Sequence, residues 1–310
     1  MNTVEPSQLK VYKRLRNRVE SVDPLYAHLS RQIELISAGF GGEKEVERVI
    51  RTLNLPDDSY VFTDLHIPMS NNRYLQIDVL VLTPSYFLLL EVKNIRGTIM
   101  FEKNPNQLVR EVENVREVFR CPEQQVIRHE RRLRGLLNAI SASGLPEIHP
   151  LIVMAYPKTI VLKGPEKVNI INACDLENYV EEINANFSME SQELHRIASI
   201  VERKSWPFLM TPLHEKFPLE TTDIKIGVFC SECLSPIRKR LRLCPYCSYP
   251  VMQSRIDSIA DLMLLVRNPV SNADIREFLN IHQHETISYI LQHANFRITG
   301  KGKGTRYHLR

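Results

Sequence analysis

Apolar residues recur along this chain in two rhythms, and each change of rhythm marks an element. Val11, Leu15 and Val19 lie four apart among Lys10, Lys13, Arg14, Arg16 and Arg18, which predicts a basic amphipathic helix over 10–20. Its basic face reads as solvated and packed on the next domain, with contact to phosphate or an acidic partner as the alternative. Residues 31–53 predict a longer helix, interrupted near Gly39, Gly41 and Gly42, with Val46, Val49, Ile50 and Leu53 as its apolar stripe. The period then shortens to two. Strands are predicted over 61–67, 75–82, 87–93 and 98–101, with a polar turn at 70–73. After a charged stretch, Pro122 opens a helical pattern through Val126, Leu133, Leu136 and Leu137. Strands at 148–155, 160–162 and 168–171 and helices at 176–183 and 194–201 follow. Strands and helices in this order predict a mixed α/β domain that ends near residue 215, where Pro207, Pro212 and Pro218 mark a linker.

The last part of the chain returns to the helical period. Ile259, Leu262, Met263 and Val266 form one stripe, ended by Asn268-Pro269. Ser271 or Asn272 can cap a second helix that buries Ile275, Phe278 and Leu279, and a third carries Ile287, Ile290 and Leu291. Residues 296–299 and 306–309 flank a Gly/Lys tip, a hairpin signal. The expected layout is a basic helical segment over 1–34, an α/β domain over 35–215, a metal module over 216–254 and a helical module over 255–310.

Composition narrows the field. The 310 residues are 43% hydrophobic and 25% charged, an ordinary globular balance that argues against wholesale disorder. No apolar run approaches the ~18 residues of a membrane span, and the opening MNTVEPSQLK has no secretory pattern. A cytoplasmic protein without a membrane partner is expected. Four of the six cysteines fall between 230 and 247, which suits a metal site in a reducing compartment rather than a disulfide framework.

The candidate chemistry lies in Gln76-Ile77-Asp78 and Glu91-Val92-Lys93. If Pro84 and Ser85 are the two turn residues between these strands, Asp78 faces Glu91 and Gln76 faces Lys93. Two carboxylates held that close repel unless a cation mediates, and a hard divalent ion with oxygen ligands is the natural mediator. A surface lattice of ion pairs on an amphipathic hairpin is the alternative from pattern alone.

Gly39-Phe40-Gly41-Gly42-Glu43, Gln76-Ile77-Asp78, Glu91-Val92-Lys93-Asn94 with Gly97, and Pro122-x-x-Gln125-x-x-x-His129 together resemble the nuclease-related domain, NERD, of the PD-(D/E)xK nuclease superfamily. The resemblance covers about 35–160. It implies a mixed central sheet flanked by helices, with Asp78 and Glu91 as ligands of Mg²⁺ or Mn²⁺. It implies Lys93 as the catalytic lysine, Glu43 as a further acid, and Gln125 near the bound strand, with His129 one helical turn later. Cys121 stands where the family usually has Asn, and Val79 where it commonly has His.

Cys230, Cys233, Cys244 and Cys247 form two C-x₂-C pairs ten residues apart, the spacing of a structural zinc ribbon. The segment between them reads as a short hairpin that carries Arg238, Lys239 and Arg240. The last module resembles a winged helix-turn-helix, in which Lys301, Lys303 and Arg306 would reach phosphate. The function expected is metal-dependent hydrolysis of nucleic-acid phosphodiesters, DNA ahead of RNA, with the C-terminal modules holding the substrate. The alternative is a non-catalytic nucleic-acid-binding or regulatory protein on the same scaffold.

Overall fold

Two helices open the chain, α1 (Ser7–Arg18) and α2 (Pro24–Ile50). The computed structural model describes residues 5–69, 73–141, 144–183, 187–205, 210–238 and 241–309. These form two units, one from residues 37–205 and one from 5–36 together with 210–309.

The first unit is built on β1 (Tyr60–Met69), β2 (Arg73–Leu82), β3 (Tyr86–Lys93), β4 (Thr98–Glu102), β5 (Gln107–Val112) and β6 (Val115–Arg120). Helix α3 (Pro122–Asn138), β7 (Glu147–Met154), β8 (Ile160–Lys163) and β9 (Asn169–Asn172) follow, then α4 (Leu176–Glu181) and α5 (Ser191–Lys204). The central sheet has the order β1-β2-β3-β7-β9. Its first three strands are antiparallel, and β3, β7 and β9 are parallel. It is a mixed sheet flanked by helices. One face buries Phe87, Leu89 and Ile152 with Val126 and Leu133 of α3 and Leu194 and Ile197 of α5. The other buries Leu88, Leu90, Leu151 and Val153 against Val46, Val49 and Ile50 of α2. Burial on both faces explains why these strands read as nearly continuous apolar runs.

A second sheet has the order β6-β5-β4-β8. Two of its strands, β5 and β6, occupy the charged stretch to which the sequence pattern assigned no element. Every residue of β6 is exposed, so no apolar alternation marks it.

Helix α2 runs unbroken through Gly39, Gly41 and Gly42, where the pattern predicts an interruption. The glycines there serve close approach. A Cβ on Gly42 would lie 2.7 Å from the Cβ of Asn94 and 3.2 Å from that of Ala155. Asn94 Nδ2 also donates to the Ala38 carbonyl at 2.7 Å. The helix can therefore lie against the ends of β3 and β7, and its next residue is Glu43. Gly42→Ala is expected to cost about 1–3 kcal/mol through overpacking, despite the better helix propensity of alanine. An unchanged urea midpoint would reject this account.

The second unit contains α1 and residues 24–36 of α2. It continues with α6 (Val251–Leu265), α7 (Asn272–Leu279), α8 (His284–Gln292) and the hairpin of β10 (Arg297–Thr299) with β11 (Arg306–His308). Leu15, Leu25 and Leu29 share one core with Leu262, Phe278 and Ile290. At the hairpin tip Gly300 has φ +75°, and a Cβ there would lie 2.3 Å from the Gly304 carbonyl oxygen, so only glycine fits. No described helix is long and apolar enough to cross a membrane.

Candidate active site

The β2–β3 ladder has the register that the Pro84-Ser85 turn implies, pairing Leu82 with Phe87, Val81 with Leu88, Leu80 with Leu89 and Val79 with Leu90. Thr83 Oγ1 locks the turn by donating to the Tyr86 carbonyl at 2.7 Å and accepting from the Tyr86 N–H at 3.0 Å. The ladder stops one rung before Asp78 and Glu91. Asp78 instead turns its Oδ2 to accept the Val92 N–H at 2.8 Å, which ties the carboxylate to the strand that carries Glu91 and Lys93.

Alternation along β2 also changes phase here. Leu80 and Leu82 face the α3 core, and so do Leu75 and Ile77. Gln76 is exposed and pairs with His66 of β1, so the expected Gln76–Lys93 juxtaposition does not form. The same break interrupts β1. Its ladder with β2 omits the rung of Asp64 and Asp78, and Asp64 has φ +50°.

On β3, Glu91 is 2% exposed, and Lys93 Nζ donates to its Oε1 at 2.5 Å. Both share the α3-facing side with Phe87 and Leu89, as strand parity requires. His129 on α3 brings its Nδ1 to 3.6 Å from Glu91 Oε2. Gln125 lies one turn earlier on the same helix and is half-buried.

The titration behaviour reports how crowded these acids are. Burial raises the Glu43 carboxyl to about 8, reinforced by Asp78 and Asp64. Glu91 rises to about 7, through burial and then Asp78, against the pull of Lys93. Asp78 also rises, because burial outweighs Lys93 and the Val92 hydrogen bond. Burial alone would lower Lys93, but Glu91 and Asp78 outweigh it and raise it, with Glu43 adding to them. His129 falls to about 4 through burial and the nearby Arg128, Arg132 and Lys93, so it is neutral at pH 7. Three carboxyl groups thus crowd a single ammonium, and an added cation would favour their ionised forms.

Asp64 and His66 were missed by sequence reasoning. Asp64 rises through burial and Asp78, against His66, whose Nδ1 is 3.5 Å from Asp64 Oδ1. The available signal was two polar residues of equal parity inside an apolar strand.

In the second unit the four cysteines converge. Cys230 and Cys247 Sγ are 3.5 Å apart, and Cys233 and Cys244 Sγ 3.6 Å. Zinc–sulfur bonds of about 2.3 Å in a tetrahedron put sulfurs about 3.8 Å apart, so the cluster fits zinc. The two knuckles repeat one local design. Leu234 and Ser248 N–H groups return to the Cys230 and Cys244 carbonyls at 3.0 and 2.9 Å, and both residues have φ +61°. Among the described residues no other three acidic, histidine or cysteine ligand atoms lie within 4.8 Å of one another. The carboxylates around Lys93 therefore make no such closed set.

The segment between the knuckles forms no strand among the described residues, only isolated bridges at Phe229–Pro236 and Leu243–Pro250, so the expected hairpin there is corrected. Arg238 is exposed, and Lys239 and Arg240 lie outside the described residues. Lys301, Lys303 and Arg306 are exposed on the β10–β11 hairpin and its tip.

Residues 38–155 match the family model described as the nuclease-related domain, NERD. That span contains Glu43, Asp64, Asp78, Glu91, Lys93, Gln125 and His129. No curated protein and no solved structure matches the chain.

Proposed function

We propose that the chain is a divalent-metal-dependent nuclease that hydrolyses nucleic-acid phosphodiester bonds, DNA ahead of RNA, at Asp78, Glu91 and Lys93. The observation that carries this reading is the convergence of Glu43, Asp78 and Glu91 on the half-buried Lys93 ammonium, inside the segment that matches the nuclease-related domain. The donors are carboxylate oxygens without a thiol, a set that fits Mg²⁺ or Mn²⁺. Asp78 and Glu91 would hold the ion, with Glu43 as a further acid. When bound, such an ion acidifies a coordinated water and offsets charge on the phosphoryl oxygens.

The remaining roles belong to the chain itself. Lys93, kept protonated by its acidic neighbours, donates to a phosphoryl oxygen as negative charge grows there. The Val92 N–H fixes the Asp78 rotamer. Neutral His129 stands beside Glu91 from α3, its Nδ1 3.6 Å from Oε2. The Gln125 side chain makes no hydrogen bond among the described residues and offers its amide to the strand. The helices α6–α8 with their basic hairpin act as a winged-helix-like module that grips phosphate through Lys301, Lys303 and Arg306. Arg238, with Lys239 and Arg240, adds charge beside the zinc ribbon.

The test is cleavage of plasmid, linear duplex, single-stranded DNA and RNA with Mg²⁺ or Mn²⁺. Wild type is expected to cut at least one of them. Asp78→Asn and Lys93→Met are expected to lose about 10²-fold or more. Equal behaviour of wild type and Asp78→Asn on every substrate would overturn the proposal.

A further inference from the structure

Beside the carboxylate cluster, α3 borders a pocket of about 440 Å³ lined by Asn106, Arg120, Cys121, Gln124 and Arg128. Its character is cationic and amide-rich, with no acid in the lining. Several arginines of this unit are already paired: Arg48 with Glu45, Arg110 with Glu117, Arg116 with Glu111, Arg134 with Glu130 and Arg196 with Glu193. The side chains of Arg120 and Arg128 make no hydrogen bond or salt bridge among the described residues. The one acid in the first turn of α3, Glu123, is turned away. Its Oε1 accepts from the backbone N–H groups of Glu166 at 2.7 Å and Lys167 at 2.5 Å. No side chain caps that turn, so its free N–H groups add to the positive potential.

The pocket is coupled to the proposed catalytic centre. Gln124 and Arg128 are one helical turn apart, roughly 6 Å along the axis, and each directly precedes a residue placed at that centre, Gln125 or His129. The charge of Arg128 acts on Glu91 and on His129.

We propose that this pocket binds a phosphate of the nucleic-acid strand adjacent to the one cleaved, with Arg120 and Arg128 as its cationic contacts and Asn106 and Gln124 as amide donors. The inference rests on the nuclease reading of Asp78, Glu91 and Lys93 and adds a backbone-phosphate subsite to it. Because its contacts go to phosphate rather than to bases, the subsite positions the strand without reading its sequence.

The experiment is anisotropy titration of a labelled oligonucleotide duplex, and of its separate strands, with the full chain over a range of salt. Arg120→Gln and Arg128→Gln each remove one phosphate contact. Each is expected to flatten the slope of log K against log salt by about 0.9 on duplex or about 0.7 on single strand. Both residues are exposed, so the variants should melt as wild type does. Arg203→Gln on α5 removes the same charge elsewhere and should leave the slope unchanged. In cleavage assays the two pocket variants should raise KM more than they lower kcat. A salt slope unchanged in both pocket variants, or flattened equally by Arg203→Gln, overturns the subsite. If wild type cuts and the slopes do not move, the subsite fails alone. If the slopes move but no substrate is cut, the subsite stands as a phosphate contact and the catalytic reading fails.

Discussion

Chelating zinc from purified protein, or replacing Cys230 with Ser, is expected to unfold the segment around residues 225–255. It should also lower the stability of the 5–36/210–309 unit by several kcal/mol. The segment has little else to hold it. Among the described residues from 225 to 250 there is no helix or strand, only single bridges and the two knuckle turns. Its buried apolar side chains are few, Val228 with the Cys230 and Cys244 thiols, while Ile226, Leu243 and Tyr246 are exposed. Structural zinc in small fingers binds with about 10–16 kcal/mol at neutral pH, as much as the whole stability of an ordinary domain, about 5–15 kcal/mol. Loss should propagate, because the knuckle is wired into α6. The Ser231 N–H donates to Ser254 Oγ at 3.2 Å, and the Val251 N–H to the Arg242 carbonyl at 3.0 Å. The measurements are one zinc per chain by elemental analysis, and calorimetry with and without chelator. Cys174→Ser is the control, since that thiol is exposed and outside the cluster. A Cys230→Ser protein that melts with wild type would refute the structural role.

The four-cysteine cluster was legible in the sequence because its members are local. Four thiols within one short window need no knowledge of the fold, and two identical knuckle turns satisfy the spacing. The carboxylate hairpin was legible for a similar reason. A two-residue turn fixes the register, and the register fixes parity, which puts Glu91 and Lys93 on one side of β3. What escaped depends on departures from ideal strands and on partners distant in sequence. The break in β2 at Asp78 reverses the facing of Gln76, and strict alternation cannot foresee it. Strands β5 and β6 carry charge on both faces and gave no apolar signal. Their turn did leave a trace, since Glu113 and Asn114 both take positive φ (52° and 65°), a conformation Asn tolerates well. The unbroken α2 escaped because glycine serves there for approach to Asn94 rather than for a bend. Glu43 and His129 reach the carboxylates from helices far from the hairpin in sequence, and only the family resemblance pointed to them.

Arg18 and Asp261 provide the second large effect, and they show how distant segments are joined in the 5–36/210–309 unit. Both side chains are about as buried as any leucine in the core, at 1% exposed. Arg18 Nε donates to Asp261 Oδ2 at 2.9 Å, Nη2 to Ser258 Oγ at 2.8 Å, and Nη1 to the carbonyls of Lys225 and Gly227 at 3.0 and 3.1 Å. Its guanidinium also lies 5.0 Å from the Phe229 ring centroid and 4.8 Å from that of Phe278. The other oxygen of Asp261 accepts twice from Arg14, from Nε and Nη2, both at 3.1 Å. One carboxylate therefore pairs with two guanidiniums from α1, of which Arg14 also has Asp257 at 3.9 Å, and burial lowers the Arg18 pKa despite Asp261. Removing that carboxylate strands a buried cation. Asp261→Ala is expected to cost about 3–5 kcal/mol, most of the stability of a marginal domain. Arg14→Ala should cost less, because Arg18 still pairs with Asp261 and Arg14 keeps some contact with solvent. In a double-mutant cycle Arg18→Met and Asp261→Ala should be strongly non-additive, since the second change finds the charge already gone. Urea denaturation of the four proteins measures this directly. Additive losses, or a loss below about 1 kcal/mol for Asp261→Ala, a surface-pair magnitude, would show that the buried pair does not hold α1 to α6.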